Sequence, residues 1–182
     1  LSALSRFGII FVMTHDSIGL GEDGPTHQPI EALEQLRSMP NILVYRPADS
    51  NETAAAYKVA LERDQTPTVI CCSRSSVPAL EHSTIAKACM GAYVVVEPAN
   101  PVLTLVATGS EVGPSVEAAK KLTESGIATR VVSIPCQEVF LEQASSYQRV
   151  VLPGHLPTLS IEASAVHGWH RFSHAQIGMT SF

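Results

Sequence analysis

Short apolar runs alternate with amphipathic stretches along most of the chain. Residues 9–13 (Ile-Ile-Phe-Val-Met) form an unbroken apolar run of the kind that reads as a buried strand. A glycine-rich loop over 14–28 follows. Pro29 then opens a short helix with Ile30, Leu33 and Leu36 on one face and Pro40 as its stop. Residues 41–45 read as a second strand. Asp49 and Glu52 have capping-box spacing, and the helix they start runs to about Arg63 with Ala56, Tyr57, Ala60 and Leu61 on one side. Residues 68–72 read as a third strand.

Periodicity fades between Ser75 and Asn100, where the one sustained apolar run is 92–96. The alternation then resumes. Residues 102–108 read as a strand, Ser110 as the cap of a helix carrying Val112, Val116 and Ala119, and Gly126 as its close. Residues 128–134, 150–152 and 158–161 read as further strands. The expected fold class is α/β: two α/β units with mainly parallel sheets joined by a linker, at 1–75, 76–100 and 101–182.

Composition narrows the function. The chain of 182 residues is 45% hydrophobic and 16% charged, enough to bury a core. A net charge of −5 without a basic cluster argues against a nucleic-acid or anionic-membrane surface. No apolar run reaches the ~18 residues of a membrane-crossing helix. Cys71, Cys72, Cys89 and Cys136 match neither a zinc site nor a disulfide framework, and read as free thiols in a cytoplasmic protein. The chain lacks an initiator Met and begins almost at once with a strand-like run, so its start reads as a cut through a domain.

The chemistry gathers in the loop Thr14-His15-Asp16-Ser17-Ile18-Gly19-Leu20-Gly21-Glu22-Asp23-Gly24-Pro25-Thr26-His27-Gln28-Pro29. It lies after a strand and before a helix, the end of an open α/β sheet where ligands collect. Its glycines permit tight backbone geometry. His15, Asp23 and His27 can face one cleft from such a loop. It is not a Walker loop, since Gly-Lys-Ser/Thr is absent and Glu22-Asp23 would repel a phosphate. A metal site from His15, Asp16, Asp23 and His27 has irregular spacing and no thiolate or helical histidine pair. A Ser-His-Asp hydrolase lacks its nucleophile elbow. On spacing alone, two structural histidines in a capped loop remain an open reading.

The run Gly21-Glu22-Asp23-Gly24-Pro25-Thr26-His27-Gln28-Pro29-Ile30-Glu31, preceded by Thr14-His15-Asp16-Ser17, closely resembles the transketolase motif. The resemblance continues through Arg46-Pro47-Ala48-Asp49, Ser73-Arg74, Ala107-Thr108-Gly109-Ser110-Glu111-Val112 and Gly178-Met179-Thr180. It implies part of a pyrimidine-binding domain followed by part of a C-terminal domain. The implied parent enzyme moves a two-carbon ketol unit from a ketose phosphate to an aldose phosphate, within the pentose phosphate pathway. Thiamine diphosphate supplies the carbanion and the electron sink, with Mg2+ or Ca2+ on the diphosphate.

By motif position, the resemblance assigns His15 and Arg74 to the phosphate end of the sugar. A planar guanidinium can meet two phosphate oxygens at once. It assigns Asp23 to a sugar hydroxyl near the carbonyl, and His27 to the thiazolium and the donor's first hydroxyl, where an imidazole can transfer a proton. His27 is thus the catalytic candidate, and no residue is assigned to metal. The family's catalytic glutamate, its ring-stacking aromatics and the diphosphate domain are expected upstream of Leu1. The active site of the family lies between the chains of a homodimer, so this chain alone is expected to be inactive. Rival readings are a dihydroxyacetone synthase and a truncated, non-catalytic binding module. His82, His155, His167, His170 and His174 read as surface or packing residues, Trp169 and Phe172 as one packing face, and Glu111 as a first-turn carboxylate.

Overall fold

The computed structural model describes residues 1–182. It contains seven short α-helices and eight strands: α1 (Ser2–Ser5), β1 (Ile10–Asp16), α2 (Ala32–Arg37), β2 (Leu43–Tyr45), α3 (Ser50–Glu62), β3 (Thr68–Ser73), α4 (Ile85–Ala88), β4 (Tyr93–Val96), β5 (Leu103–Ala107), α5 (Val112–Glu124), β6 (Thr129–Ser133), α6 (Gln137–Leu141), α7 (Ser145–Val151), β7 (Thr158–Ala165) and β8 (Ala175–Met179). The strands form two sheets, β1-β3-β2 and β4-β6-β5-β7-β8. All pairs are parallel except β4 with β6, so the mixed α/β class with mainly parallel sheets holds.

Local sequence explains most elements. Asp49 accepts a hydrogen bond from the Glu52 backbone N–H at 2.9 Å and so caps α3, whose Ala55, Ala56, Val59 and Ala60 turn inward. Gly126, at φ +90°, ends the helix before β6 in a conformation that L side chains rarely adopt. The two units share their interior. One cluster joins Leu43, Tyr45, Ala56, Val59 and Ile70 of the first to Cys136 and Val139 of the second. Another joins Ala48 and Ala55 to Tyr93, Leu105 and Val112. Burial of this kind is worth about 1.5–3 kcal/mol per large side chain, and two of the four core clusters span both units.

Several sequence expectations change. Residues 150–152 are not a strand: 150 and 151 close α7, with Val151 2% exposed and Val150 64%, one face in and one out. The segment 9–13 does form a strand, but β1 is a sheet edge, leaving Val12 and Met13 about half exposed at 48% and 49%. Ser110 does not cap a helix. A 3-10 turn over Gly109–Glu111 precedes α5, and the Ser110 hydroxyl donates to the Glu111 carboxylate at 2.6 Å. The 92–96 run supplies β4, which lies at the edge of the five-stranded sheet. Trp169 and Phe172 do pack together, edge to face at 6.0 Å.

Candidate functional site

β1 and β3 run parallel with Asp16 opposite Ser73. That register sets His15 and Arg74, each one residue away, at the carboxyl ends of adjacent strands. His15 has φ +68°, a conformation that a non-glycine residue keeps only where its surroundings impose it. Beyond it the chain makes two successive 3-10 turns, Gly21–Asp23 and Pro25–His27, hinged at Gly24 with φ +72°. Asp23 closes the first turn and His27 the second. A Cβ at Gly19 would lie 3.0 Å from Ser75 Oγ, so the loop folds back onto the segment that carries Arg74.

All four candidate side chains are exposed. The Nδ1 atoms of His15 and His27 lie 2.8 and 2.9 Å from Thr14 Oγ1 and Thr26 Oγ1, each contact on an exposed pair of adjacent residues. Asp23 and Arg74 keep their polar groups for solvent or a ligand. The structure sets His15 and Arg74 at one sheet end, with Asp23 and His27 on the loop that leaves β1 there. It does not enclose the four in a cavity. A shallow recess of about 330 Å3 takes in His27 with Pro25, Gln28 and Glu31. A more apolar cleft of about 420 Å3, lined by Met13, Asp16, Leu33, Leu36, Met39 and Cys71, lies between α2 and the β1–β3 strand pair.

Behind this surface lie buried polar groups whose roles sequence reasoning missed. Arg46, fully buried, donates from Nε to Asp16 at 2.6 Å and from Nη1 to the Thr108 carbonyl at 2.6 Å and to the Glu111 carboxylate. Glu111 also accepts from the Ala163 N–H at 3.0 Å. It is thus a hub between the units, not a simple first-turn carboxylate. Burial raises the Asp16 carboxyl above its ordinary range although Arg46 opposes this.

Arg37 makes a fork to both oxygens of Glu162 at 2.9 and 2.8 Å. Trp169 Nε1 adds a third hydrogen bond to Glu162 at 2.7 Å. Burial pushes Glu162 up, but the Arg37 charge and these bonds outweigh it and hold the carboxyl below its ordinary range. Glu52, also buried, accepts from Ala48 N–H at 2.6 Å, Tyr93 Oη at 2.8 Å and Ser133 Oγ at 2.6 Å, and burial pushes it up to about 7. No group of three or more His, Cys, Asp or Glu is arranged to hold a metal ion.

A parallel sheet with a glycine-rich strand-to-helix loop, packed against a second α/β unit with a mainly parallel sheet, defines a two-unit α/β protein whose polar loop lies at the strand ends where such folds bind ligands. Residues 1–79 match the transketolase pyrimidine-binding domain, and residues 91–182 match the transketolase-like C-terminal domain. The chain belongs to the transketolase family. It is 52% identical over 182 residues to transketolase 1 of Saccharomyces cerevisiae, covering 100% of this chain and 27% of that protein. A crystal structure of the Pichia stipitis transketolase in complex with sedoheptulose 7-phosphate superposes with TM-score 0.97 at 51% identity, again over 100% of this chain and 27% of that one. More distantly, a split-gene transketolase described as an inactive β4 tetramer superposes with TM-score 0.69 at 27% identity, over 93% of this chain and 55% of that one. The chain thus spans about a quarter of the length of its nearer relatives.

Proposed function

We propose that this chain supplies one wall of the site in an enzyme that transfers a two-carbon ketol unit from a ketose phosphate to an aldose phosphate, as part of the pentose phosphate pathway. The observation that carries the reading is the placement of His15 and Arg74 at adjacent strand ends beside the loop bearing Asp23 and His27. His15 and Arg74 hold the phosphate end of the sugar. The Arg74 guanidinium offers paired N–H donors to phosphate oxygens. Asp23 accepts from a sugar hydroxyl, so a wrong epimer leaves that carboxylate unpaired. His27, exposed on this loop, donates to or takes a proton from the donor's first hydroxyl.

Thiamine diphosphate supplies the nucleophilic carbon and the electron sink. The exposed His27 edge fits a contact with the thiazolium. No residue of this chain is assigned to the diphosphate end with its Mg2+ or Ca2+. Those groups belong to the rest of the parent enzyme and to the partner chain of a homodimer. These 182 residues alone are therefore inactive, a reading that the inactive split-gene relative supports. We divide the chain into a pyrimidine-domain part at 1–75, a connecting segment at 76–100 that lends β4 to the second sheet, and a C-terminal domain part at 101–182. Its free thiols suit the reducing cytoplasm, and no helix is long and apolar enough to cross a membrane.

The test is product analysis of the full-length polypeptide that carries these residues, with ribose 5-phosphate and formaldehyde as competing acceptors. Preferred use of ribose 5-phosphate is expected. Preferred use of formaldehyde would make the enzyme a dihydroxyacetone synthase, and no transfer to either acceptor would reject ketol transfer. In the same enzyme, Arg74→Ala should raise KM for phosphorylated sugars by about tenfold to a hundredfold, the value of a charge-assisted hydrogen bond. Equal losses for phosphorylated and unphosphorylated sugars would remove Arg74 from the phosphate role.

A further inference from the structure

In an open α/β sheet, a ligand crevice opens where the strand order reverses, outside the carboxyl ends of the strands. In the order β4-β6-β5-β7-β8, the chain leaves β5 for β6 on one side and reaches β7 on the other. The crevice therefore lies beyond Ala107 of β5 and Ile161 of β7, which are register partners. It is filled by the first unit. The Arg46 guanidinium enters it and meets the Thr108 carbonyl at 2.6 Å, the Ser110 hydroxyl at 3.3 Å and the Glu111 carboxylate. The seat is close-fitting: a Cβ at Gly109, where φ is +57°, would lie 2.8 Å from Arg46 Cγ.

From this seat Arg46 reaches back to Asp16 at 2.6 Å. The hydroxyl of Ser17, the next residue, donates to the carbonyl of Ala163 in β7, and the N–H of that same Ala163 donates to Glu111 at 3.0 Å. Of the two residues directly after His15, Ser17 is thus tied to the second unit directly and Asp16 through Arg46, and His15 itself stands at φ +68°. A backbone in that region persists where neighbouring contacts over-determine it.

We propose that the C-terminal unit uses its switch-point crevice as a clamp, with Arg46, Glu111 and Ser17 as positioning residues that fix the direction of His15 toward the phosphate end of the substrate. This rests on the reading of His15 as a phosphate-end ligand. A clamp on His15 acts on phosphate recognition and leaves the reacting carbon alone. A merely structural ion cluster would weaken every substrate alike.

The experiment measures KM and kcat of the full-length enzyme with a phosphorylated ketose and with an unphosphorylated hydroxyketone donor. The variants are H15A, E111Q and S17A, with the doubles E111Q/H15A and S17A/H15A. E111Q and S17A are expected to raise KM for the phosphorylated donor about fivefold, leaving kcat and the other donor within about twofold. On H15A the second substitution should add less than about twofold, because both act through one side chain. Penalties that multiply on H15A, or equal losses with both donors, would overturn the clamp. If H15A itself leaves the KM for the phosphorylated donor unchanged, the reading of His15 fails, and the clamp with it. S17A removes one hydroxyl and keeps the comparison decisive if E111Q does not fold.

Discussion

Replacing Glu52 by Gln should make the protein more stable at pH 8 and should remove a pH dependence that the native protein shows between pH 5 and 8. Glu52 joins α3 to β4 and β6 through Tyr93 and Ser133, and it is wholly buried. Burial raises its folded pKa to about 7 from an ordinary 4.5, although the hydrogen bonds from Ser133, Ala48 and Tyr93 oppose the shift. The folded state then holds this proton more tightly than the unfolded chain does. The contribution to stability is full below pH 4.5, falls as pH rises, and levels off above about pH 7. At about 1.4 kcal/mol per pH unit, the gap costs roughly 3 kcal/mol above pH 7 and about 1 kcal/mol at pH 5.

Gln has the same shape and carries no charge. Its carbonyl can accept from Ala48 N–H while its amide donates to a re-aimed hydroxyl of Ser133 or Tyr93. Urea unfolding of the 182-residue chain, followed by the fluorescence of its single tryptophan, Trp169, reports the difference because that ring is 1% exposed. The expected advantage of E52Q is up to about 3 kcal/mol at pH 8, shrinking to about 1 kcal/mol or less at pH 5. An E52Q chain that is less stable at pH 8, or a difference that does not vary with pH, would refute the reasoning.

Arg37→Ala leaves Glu162 buried without its cation, and urea unfolding should show a loss of about 3–5 kcal/mol. Because Glu162 is held below its ordinary range, its contribution is present above pH 4.5 and lost as pH falls through the lower folded value; Glu162→Gln should therefore flatten the acid limb of the stability curve. Gly91→Ala would set a Cβ 2.3 Å from the Phe140 backbone nitrogen at φ +82°, and a loss of about 2–4 kcal/mol is expected in the same assay.

What could be read from the sequence depended on how local the cause was. Asp49 was recognisable as a cap because its partner is three residues away. The other role of Glu52 was hidden, since Tyr93 and Ser133 lie 41 and 81 residues further on. Arg46 stood inside a recognisable motif, but its partners come from β1 and from the turn after β5, and nothing in the spacing joins them. The Val-Val-Leu of 150–152 has strand-like composition, while the helical period that buries Val151 extends over one short helix of seven residues. β8 escaped notice because Gln176 and Gly178 break its apolar run. The apolar run of β1 suggested burial on both faces, but run length does not say whether a strand lies at an edge. The loop at 14–29 was legible because its chemistry is contiguous; the Arg46 clamp behind it depends on tertiary contacts alone.

The central claim is tested most directly by a crystal structure of the full-length polypeptide with a bound ketose phosphate. The account predicts the phosphate between His15 and Arg74, a sugar hydroxyl on Asp23, and the donor's first hydroxyl within hydrogen-bond reach of His27. A sugar phosphate bound elsewhere, with those four side chains facing only solvent, would contradict it.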